Sequence, residues 1–396
     1  MTVQLQTLGE FAALGVSDAV CAVLARQGIE VPFPVQAAVI PEAMRGVDGL
    51  AKSPTGSGKT LAFGVPIVER LDPASAAVGA LVLVPTRELA AQVTEAIEAI
   101  GAARGLRAAS VYGGVPLRRQ AQAARGAQIL VATPGRLQDF SDRRLVSLDG
   151  VRILVLDEAD RMLDMGFRPQ VDAIVRRLPR SRQTMFFSAT LDGEVGDLAR
   201  EYTQDPCRFE FVPPRAEVGD PVVDHTFVAV TSEDKLDVLA EHLAAADGLS
   251  LVFVRTKRGA DRLARRLSQR DIPAAAMHGD MPQSRREKTL ERFRSGSIPT
   301  LVATELAARG LDLVEITNVI NFDPPADDTS YLHRVGRTGR AGRGGAGVTF
   351  VLPEQQGDVS RVAARAGRRD EFERAGLRPA SPRLVYTSRR GRRSRW

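Results

Sequence analysis

Short, almost wholly apolar runs separated by stretches of helical spacing set the tightest limit on what this chain can become. LVLVP (81–85), ILVATP (129–134), RILVLDE (152–158) and TMFFSAT (184–190) form one series. SLVFVRT (250–256), TLVATE (300–305), NVINFD (318–323) and GVTFVL (347–352) form a second. A strand covered by helices on both faces reads as continuous apolar sequence, whereas a half-exposed strand alternates. RELAAQVTEAIEAIGAA (87–103) is one of the helical stretches between them. Two such series in 396 residues predict two α/β domains, each a mainly parallel sheet flanked by helices. The join is expected at CRFEFVPPRAEVGDPV (207–222), which carries adjacent prolines and no helical period. The expected domains are therefore 1–208 and 223–356, with a linker at 209–222 and an extension at 357–396. In that extension 358–377 could form a helix, and the arginine-rich end is expected to be disordered.

Composition removes several classes. With 44% hydrophobic residues the chain can bury substantial cores. No apolar run is long enough to span a bilayer, and no N-terminal stretch joins a basic region to an apolar one, so no membrane partner is expected. Cys21 and Cys207 give neither a disulfide framework nor metal-ligand spacing, which fits a reducing cytoplasm. The net charge of +6 is localised: residues 381–396 hold six arginines and no acid, and the remainder balances at 48 basic and 48 acidic residues. Such a tail can attract nucleic acid through its phosphates or simply act as a solvated end.

Two motifs carry chemistry. SPTGSGKT (53–60) is a glycine-rich turn opening a helix, although Ser53 stands where the usual first glycine would be. Backbone N–H groups in such a turn face phosphates, and the helix N-terminus adds partial positive charge. Gly56 and Gly58 permit close approach, Lys59 can reach the β- and γ-phosphates, and the Thr60 hydroxyl can ligate Mg²⁺. The second motif is LVLDEADRMLDMGF (154–167), where an apolar strand runs into Asp157, Glu158 and Asp160. Buried carboxylates need a positive partner. A helix cap would account for Asp157 alone. A nucleotide-bound metal accounts for the cluster and the phosphate loop together.

Asp157-Glu158-Ala159-Asp160 spells DEAD, and the chain resembles the DEAD-box family of ATP-dependent RNA helicases over nearly all of residues 11–350. GIEVPFPVQ (28–36), with Phe11 upstream, is similar to the family's adenine-recognising motif. PTRELA (85–90), Gly113-Gly114 and TPGR (133–136) are similar to its RNA-backbone motifs, and SAT (188–190) to the motif linking ATP and RNA states. VFVRT (252–256), HGDMPQSRRE (278–287), ATELAARGLD (303–312) and HRVGRTGR (333–340) follow in the family's order.

The resemblance implies two tandem RecA-like domains that use ATP and Mg²⁺ and act on single-stranded or short duplex RNA. It assigns ATP contacts to Phe11, Gln36, Thr55, Gly56, Ser57, Gly58, Lys59, Thr60 and Asp312. Asp157 and Thr60 would hold the metal, partly through water, and Glu158 would polarise the attacking water. Arg337 and Arg340, three apart, would act as fingers on the phosphates. RNA contacts fall to Arg87, Gly114, Thr133, Arg136, Gly279 and Thr304, and coupling of the domains to Ser188, Thr190, His333 and Arg334. Taken alone, Phe11 reads as core, Gln36 as surface, and Thr133 and Thr304 as strand ends. Phe33 replaces a hydroxyl residue usual in the family, so a helix cap or water contact is expected to be lost. Glu305 stands where Asp is usual, which could alter coupling between RNA and ATP. Ribosomal and mRNA-decay assemblies are candidate settings. An ATP-gated RNA clamp and a DNA-directed helicase remain rivals; a metabolic P-loop kinase leaves the second domain's arginines without a task.

Overall fold

A computed structural model of the chain describes residues 10–53, 57–211, 223–308, 316–339 and 344–378. They divide into two compact units, 10–211 and 223–378. The first holds β1 (Gly49–Lys52), β2 (Ala80–Leu83), β3 (Ala108–Val111), β4 (Ile129–Ala132), β5 (Ile153–Asp157), β6 (Gln183–Ser188) and β7 (Cys207–Glu210). Their order across the sheet is β3-β4-β2-β5-β6-β1-β7, and every neighbouring pair is parallel. Parallel neighbours need crossover connections, which the intervening helices supply.

The apolar runs are continuous because each strand feeds two cores. Val82, Val131, Val155 and Phe187 join one cluster with helices Pro34–Met44, Lys59–Arg70 and Arg87–Gly101. Leu81, Leu83, Leu130, Leu154 and Phe186 join the other with helices Pro134–Asp142, Arg168–Val175 and Gly193–Tyr202. Side chains alternate across a strand, so both faces of β2, β4 and β5 must be apolar. Full burial of each such side chain contributes about 1.5–3 kcal/mol.

The second unit repeats the plan with β8 (Val223–Ala229), β9 (Leu249–Val254), β10 (Ala274–Met277), β11 (Thr300–Thr304), β12 (Ile316–Asn321) and β13 (Gly345–Val351). Their order is β10-β11-β9-β12-β13-β8, again all parallel. Among the described residues no helix is long and apolar enough to cross a membrane.

Two boundaries differ from expectation. The segment read as a linker from 209 begins inside β7, which pairs with β1 through Gly49–Cys207 to Lys52–Glu210. The remainder, 212–222, lies outside the described residues. The extension read as starting at 357 belongs to the second unit for most of its length. Val359, Val362, Ala363, Phe372 and Leu377 pack with Phe227, Tyr331, Val335 and Val351 in one cluster. The expected single helix at 358–377 is two, Gln356–Arg365 and Arg369–Arg374. Gly367 separates them at φ 71°, a left-handed conformation that ends a helix. The arginine-rich end, with its expected disorder, lies outside the described residues.

Candidate nucleotide and nucleic-acid site

The motifs sit where open α/β sheets present ligand-binding loops, beyond the carboxyl ends of strands. β1 leads into the phosphate loop and helix Lys59–Arg70. Thr55 and Gly56 lie outside the described residues. Ser53 is buried: its N–H donates to Ser188 O (2.9 Å), and its hydroxyl meets that of Ser57 at 2.8 Å. Lys59 begins the helix and its Nζ donates to Ser53 O (3.2 Å). Thr60 is half-buried beside it. Gly58 has φ 84°, and a Cβ there would come within 2.5 Å of Gln36 Nε2 and 2.7 Å of the Phe33 ring. Glycine is therefore demanded twice, by backbone and by space.

Gln36 ties the base motif to this loop. Its Oε1 accepts the Phe33 N–H (2.9 Å), and its Nε2 donates to Gly58 O (2.9 Å). Both ends of the amide are used, which explains why a residue that sequence alone places on the surface is only 1% exposed. Phe33 precedes helix Pro34–Met44 and has no side-chain acceptor, so the loss of a hydroxyl cap is real; the Gln36 side chain binds the Phe33 N–H instead. Phe11 is 2% exposed within the first core, the setting that its residue type alone suggests.

β5 ends in the acidic cluster. Burial, reinforced by Glu158, pushes the Asp157 carboxyl up to about 7, while Lys59 and Arg161 pull the other way. Glu158 adopts φ 54°, ψ 49°, strained for a non-glycine residue. Its Oε2 accepts from Arg161 Nη1 at 2.7 Å, with both side chains buried. Sequence reasoning passed over Arg161, although its spacing of three from Glu158 on a helical turn was a usable signal. Asp160 faces the other way: its Oδ2 accepts the Ala189 N–H (3.1 Å). Ser188 Oγ accepts from Asp160 N and Thr190 N, both at 3.3 Å. The DEAD and SAT segments are thus laced together at the ends of neighbouring strands β5 and β6. Among the described residues no three His, Cys, Asp or Glu side chains group as a metal cage. Mg²⁺ needs none: it takes one or two carboxylates plus substrate phosphates, and the Asp157 carboxylate and Thr60 hydroxyl are suitable hard oxygen donors.

The remaining first-unit motifs gather at β2, β4 and β3. Thr86 caps helix Arg87–Gly101, its hydroxyl accepting the Leu89 N–H (3.3 Å). The Arg87 guanidinium lies against Gly113, where a Cβ would be 3.1 Å from Nη2. Arg136 donates to Val115 O (2.9 Å) and Gln120 Oε1 (3.0 Å), binding the helix after β4 to the loop after β3 and to the helix Leu117–Ala124 that follows it. Gly114 has φ 87°, and Thr133 is the buried residue before helix Pro134–Asp142.

In the second unit, Gly279 follows β10 and Thr304 ends β11, on adjacent strands. Arg334 is buried and fully engaged: Nε and Nη2 donate to Glu305 Oε2 (3.0 and 2.7 Å), Nη1 donates to Asp323 O (2.8 Å), and its guanidinium lies over Phe253. The Glu305 departure thus has a definite partner. Arg337 follows helix Asp328–Val335 and is 4% exposed, and His333 is half-buried on that helix. Tyr331 is buried as expected of a packed segment, but its neighbour Leu332 is exposed. Asp312 and Arg340 lie outside the described residues.

Two parallel sheets carrying a phosphate loop and strand-end acids define tandem RecA-like nucleotide-hydrolysing domains. Residues 33–198 match the DEAD/DEAH box helicase family and residues 234–342 the helicase conserved C-terminal domain. The DEAD-box ATP-dependent RNA helicase CshA of Geobacillus kaustophilus is 42% identical over 364 residues, 91% of this chain and 77% of that protein. The ATP-dependent RNA helicase CshA of Limosilactobacillus reuteri is 41% identical over 349 residues, covering 87% and 70%. Among solved structures, S. cerevisiae Dbp5 bound to RNA and ADP BeF3 superposes with a TM-score of 0.83 at 29% identity, covering 94% of this chain and 95% of that one. The chain belongs to the DEAD-box family of ATP-dependent RNA helicases.

Proposed function

We propose that this chain hydrolyses ATP under the control of bound RNA and spends each cycle bending one strand to separate a short duplex. The observation that carries this reading is the division of the first sheet's carboxyl edge. Phosphate loop, DEAD and SAT follow the neighbouring strands β1, β5 and β6; the arginine, glycine and threonine motifs follow the neighbouring strands β2, β3 and β4. A phosphate-handling half and a polymer-contacting half therefore share one edge, and the SAT segment is hydrogen-bonded to the acids.

In this reading the N–H groups and Lys59 of the loop bind the phosphates, with Thr55, Gly56 and Ser57 in the same turn. Gln36 releases one of its local bonds to read adenine. Asp157 and Thr60 would hold Mg²⁺, which when bound offsets phosphate charge. Glu158, held by Arg161, accepts a proton from the attacking water. Arg337 and Arg340, with Asp312, are contributed by the second half of the chain, so turnover requires both units. Arg87, Gly114, Thr133, Arg136, Gly279 and Thr304 contact phosphate and sugar, which carry no sequence information. Ser188, Thr190, His333 and Arg334 transmit RNA state to the ATP site. We extend the proposal to cytoplasmic RNA in ribosomal or mRNA-decay assemblies, testable by sequencing RNAs crosslinked to the Glu158→Gln protein in cells.

The deciding experiment is Glu158→Gln. Loss of a general base costs about 10²–10⁴-fold in turnover. RNA-stimulated ATPase should fall by at least about 10²-fold, while binding of a fluorescent ATP analogue persists. Full turnover in the variant, or equal stimulation of the native protein by matched RNA and DNA strands, would overturn the reading.

A further inference from the structure

We infer that the free edge of the second sheet is a docking groove for an extended, acidic polypeptide segment that adds to β10 as a strand. Among the described residues β10 ends the strand order of that sheet and pairs only with β11. It is built from Ala274, Ala275, Ala276 and Met277, with the three alanines half-buried. Edge strands are ordinarily blunted by a lysine, a proline or a bulge on the strand itself. Here Pro273 stands just ahead of the strand and the Ala274 carbonyl accepts the Ser268 hydroxyl at 3.5 Å, but Ala274, Ala275 and Ala276 offer only methyl groups and Met277 is buried, so another backbone can come alongside the rest of the edge at the usual spacing of about 4.8 Å.

The charges stand back on the walls. Helices Lys257–Ser268 and Gln283–Arg294 flank a groove of about 720 Å³ over this edge, with the buried side chains of Met281 and Ile298 contributing to its lining. Arg265 on one wall and Arg285, Lys288 and Arg292 on the other are all exposed. Asp261 is the one acid among the described lining residues, and its Oδ2 is engaged by His278 Nε2 at 3.1 Å. A strand entering here gains main-chain hydrogen bonds from the edge, small-residue clearance from the alanines, and selection for acids from both sides. Nucleic acid fits less well. No aromatic side chain lines the groove among the described residues, so bases find no stacking platform.

The probe is a short fluorescein-labelled peptide repeating Thr-Glu-Val-Glu, titrated against the full chain by anisotropy. It should bind saturably, while a matched Thr-Lys-Val-Lys peptide does not. Combined Arg265→Glu and Arg292→Glu should weaken binding roughly tenfold or more, the effect expected from reversing two exposed charge pairs, with RNA-stimulated ATPase unchanged. Amide exchange at Ala274–Met277 should slow when the peptide is present. Undiminished binding to the charge-reversed protein, or no protection of β10, overturns the inference. So does displacement of the peptide by an RNA oligonucleotide whose own binding is lost in the same variant, which would make the groove an RNA surface.

Discussion

Glu158 combines an uncommon backbone conformation with a buried carboxylate, and Arg161 is the side chain seen to hold that carboxylate in position. Removing one member of a buried pair leaves an uncompensated charge and costs about 3–5 kcal/mol. Without that bond the Glu158 carboxylate is no longer held in one position, and a base must be placed to within hydrogen-bond reach of the water it activates. Arg161→Met should therefore lower the melting temperature and reduce RNA-stimulated ATPase at neutral pH by about tenfold or more. Native turnover at pH 7 in that variant would show that Arg161 does not position Glu158. The acids and the loop were legible in the sequence because their chemistry is written in residue type and order. The setting of Gln36 was not. Whether a glutamine is buried depends on a carbonyl twenty-two positions away, and no local pattern records that.

The same limit explains which strands escaped a reading of apolar runs. The unread strands β3, β7, β8 and β10 are the four sheet edges, and β1 is four residues long. An edge strand lacks a neighbour on one side and need not be apolar on both faces: AASV and CRFE carry polar residues, and AAAM, though apolar, has none of the β-branched residues that mark an interior strand. Fold class was readable because interior strands carry it, and the domain boundaries shifted because β7 closes one sheet at the supposed linker. Glu305 belongs to this scale, because it joins the end of β11 to the helix after β12 through Arg334. Glu305→Gln replaces a charge-assisted contact by a neutral one while Arg334 keeps its bond to Asp323 O. The expected loss is about 1–3 kcal/mol in denaturant unfolding of the second unit. A double-mutant cycle with Arg334→Met should show most of that energy as coupling. Additive losses would mean the pair is incidental, and the longer side chain at 305 would then have no structural explanation.

Charge at the scale of the whole molecule acts through pH and through salt. His225 on β8 shares a 2.7 Å hydrogen bond with Tyr331, and burial, with Arg368 adding to it, holds its pKa down at about 4; Glu371 and Asp224 oppose this. The folded pKa lies below the unfolded value of 6.5, so between them the unfolded chain binds more protons. The contribution is fully present above pH 6.5 and is lost as pH falls towards 4. Because the ring is partly exposed, solvent screening reduces the effect to about 1 kcal/mol. Thermal unfolding from pH 7 to pH 4.5 should show a smaller fall for His225→Gln than for the native chain; parallel curves would remove His225 as the cause. Salt addresses the other end of the charge distribution. With 48 basic and 48 acidic residues in 1–380, the positive excess resides in the arginines of 381–396. If those arginines meet RNA phosphates, each releases counterions, and the slope of log affinity against log salt changes by roughly 0.7 per contact on a single strand. Deleting 381–396 should weaken RNA binding at low salt and flatten that slope by up to about 4. Turnover at saturating RNA should stay the same, because the deletion removes none of the residues assigned to the ATP site. An unchanged slope would assign the tail to solvation and leave RNA affinity to the strand-end motifs of the two sheets.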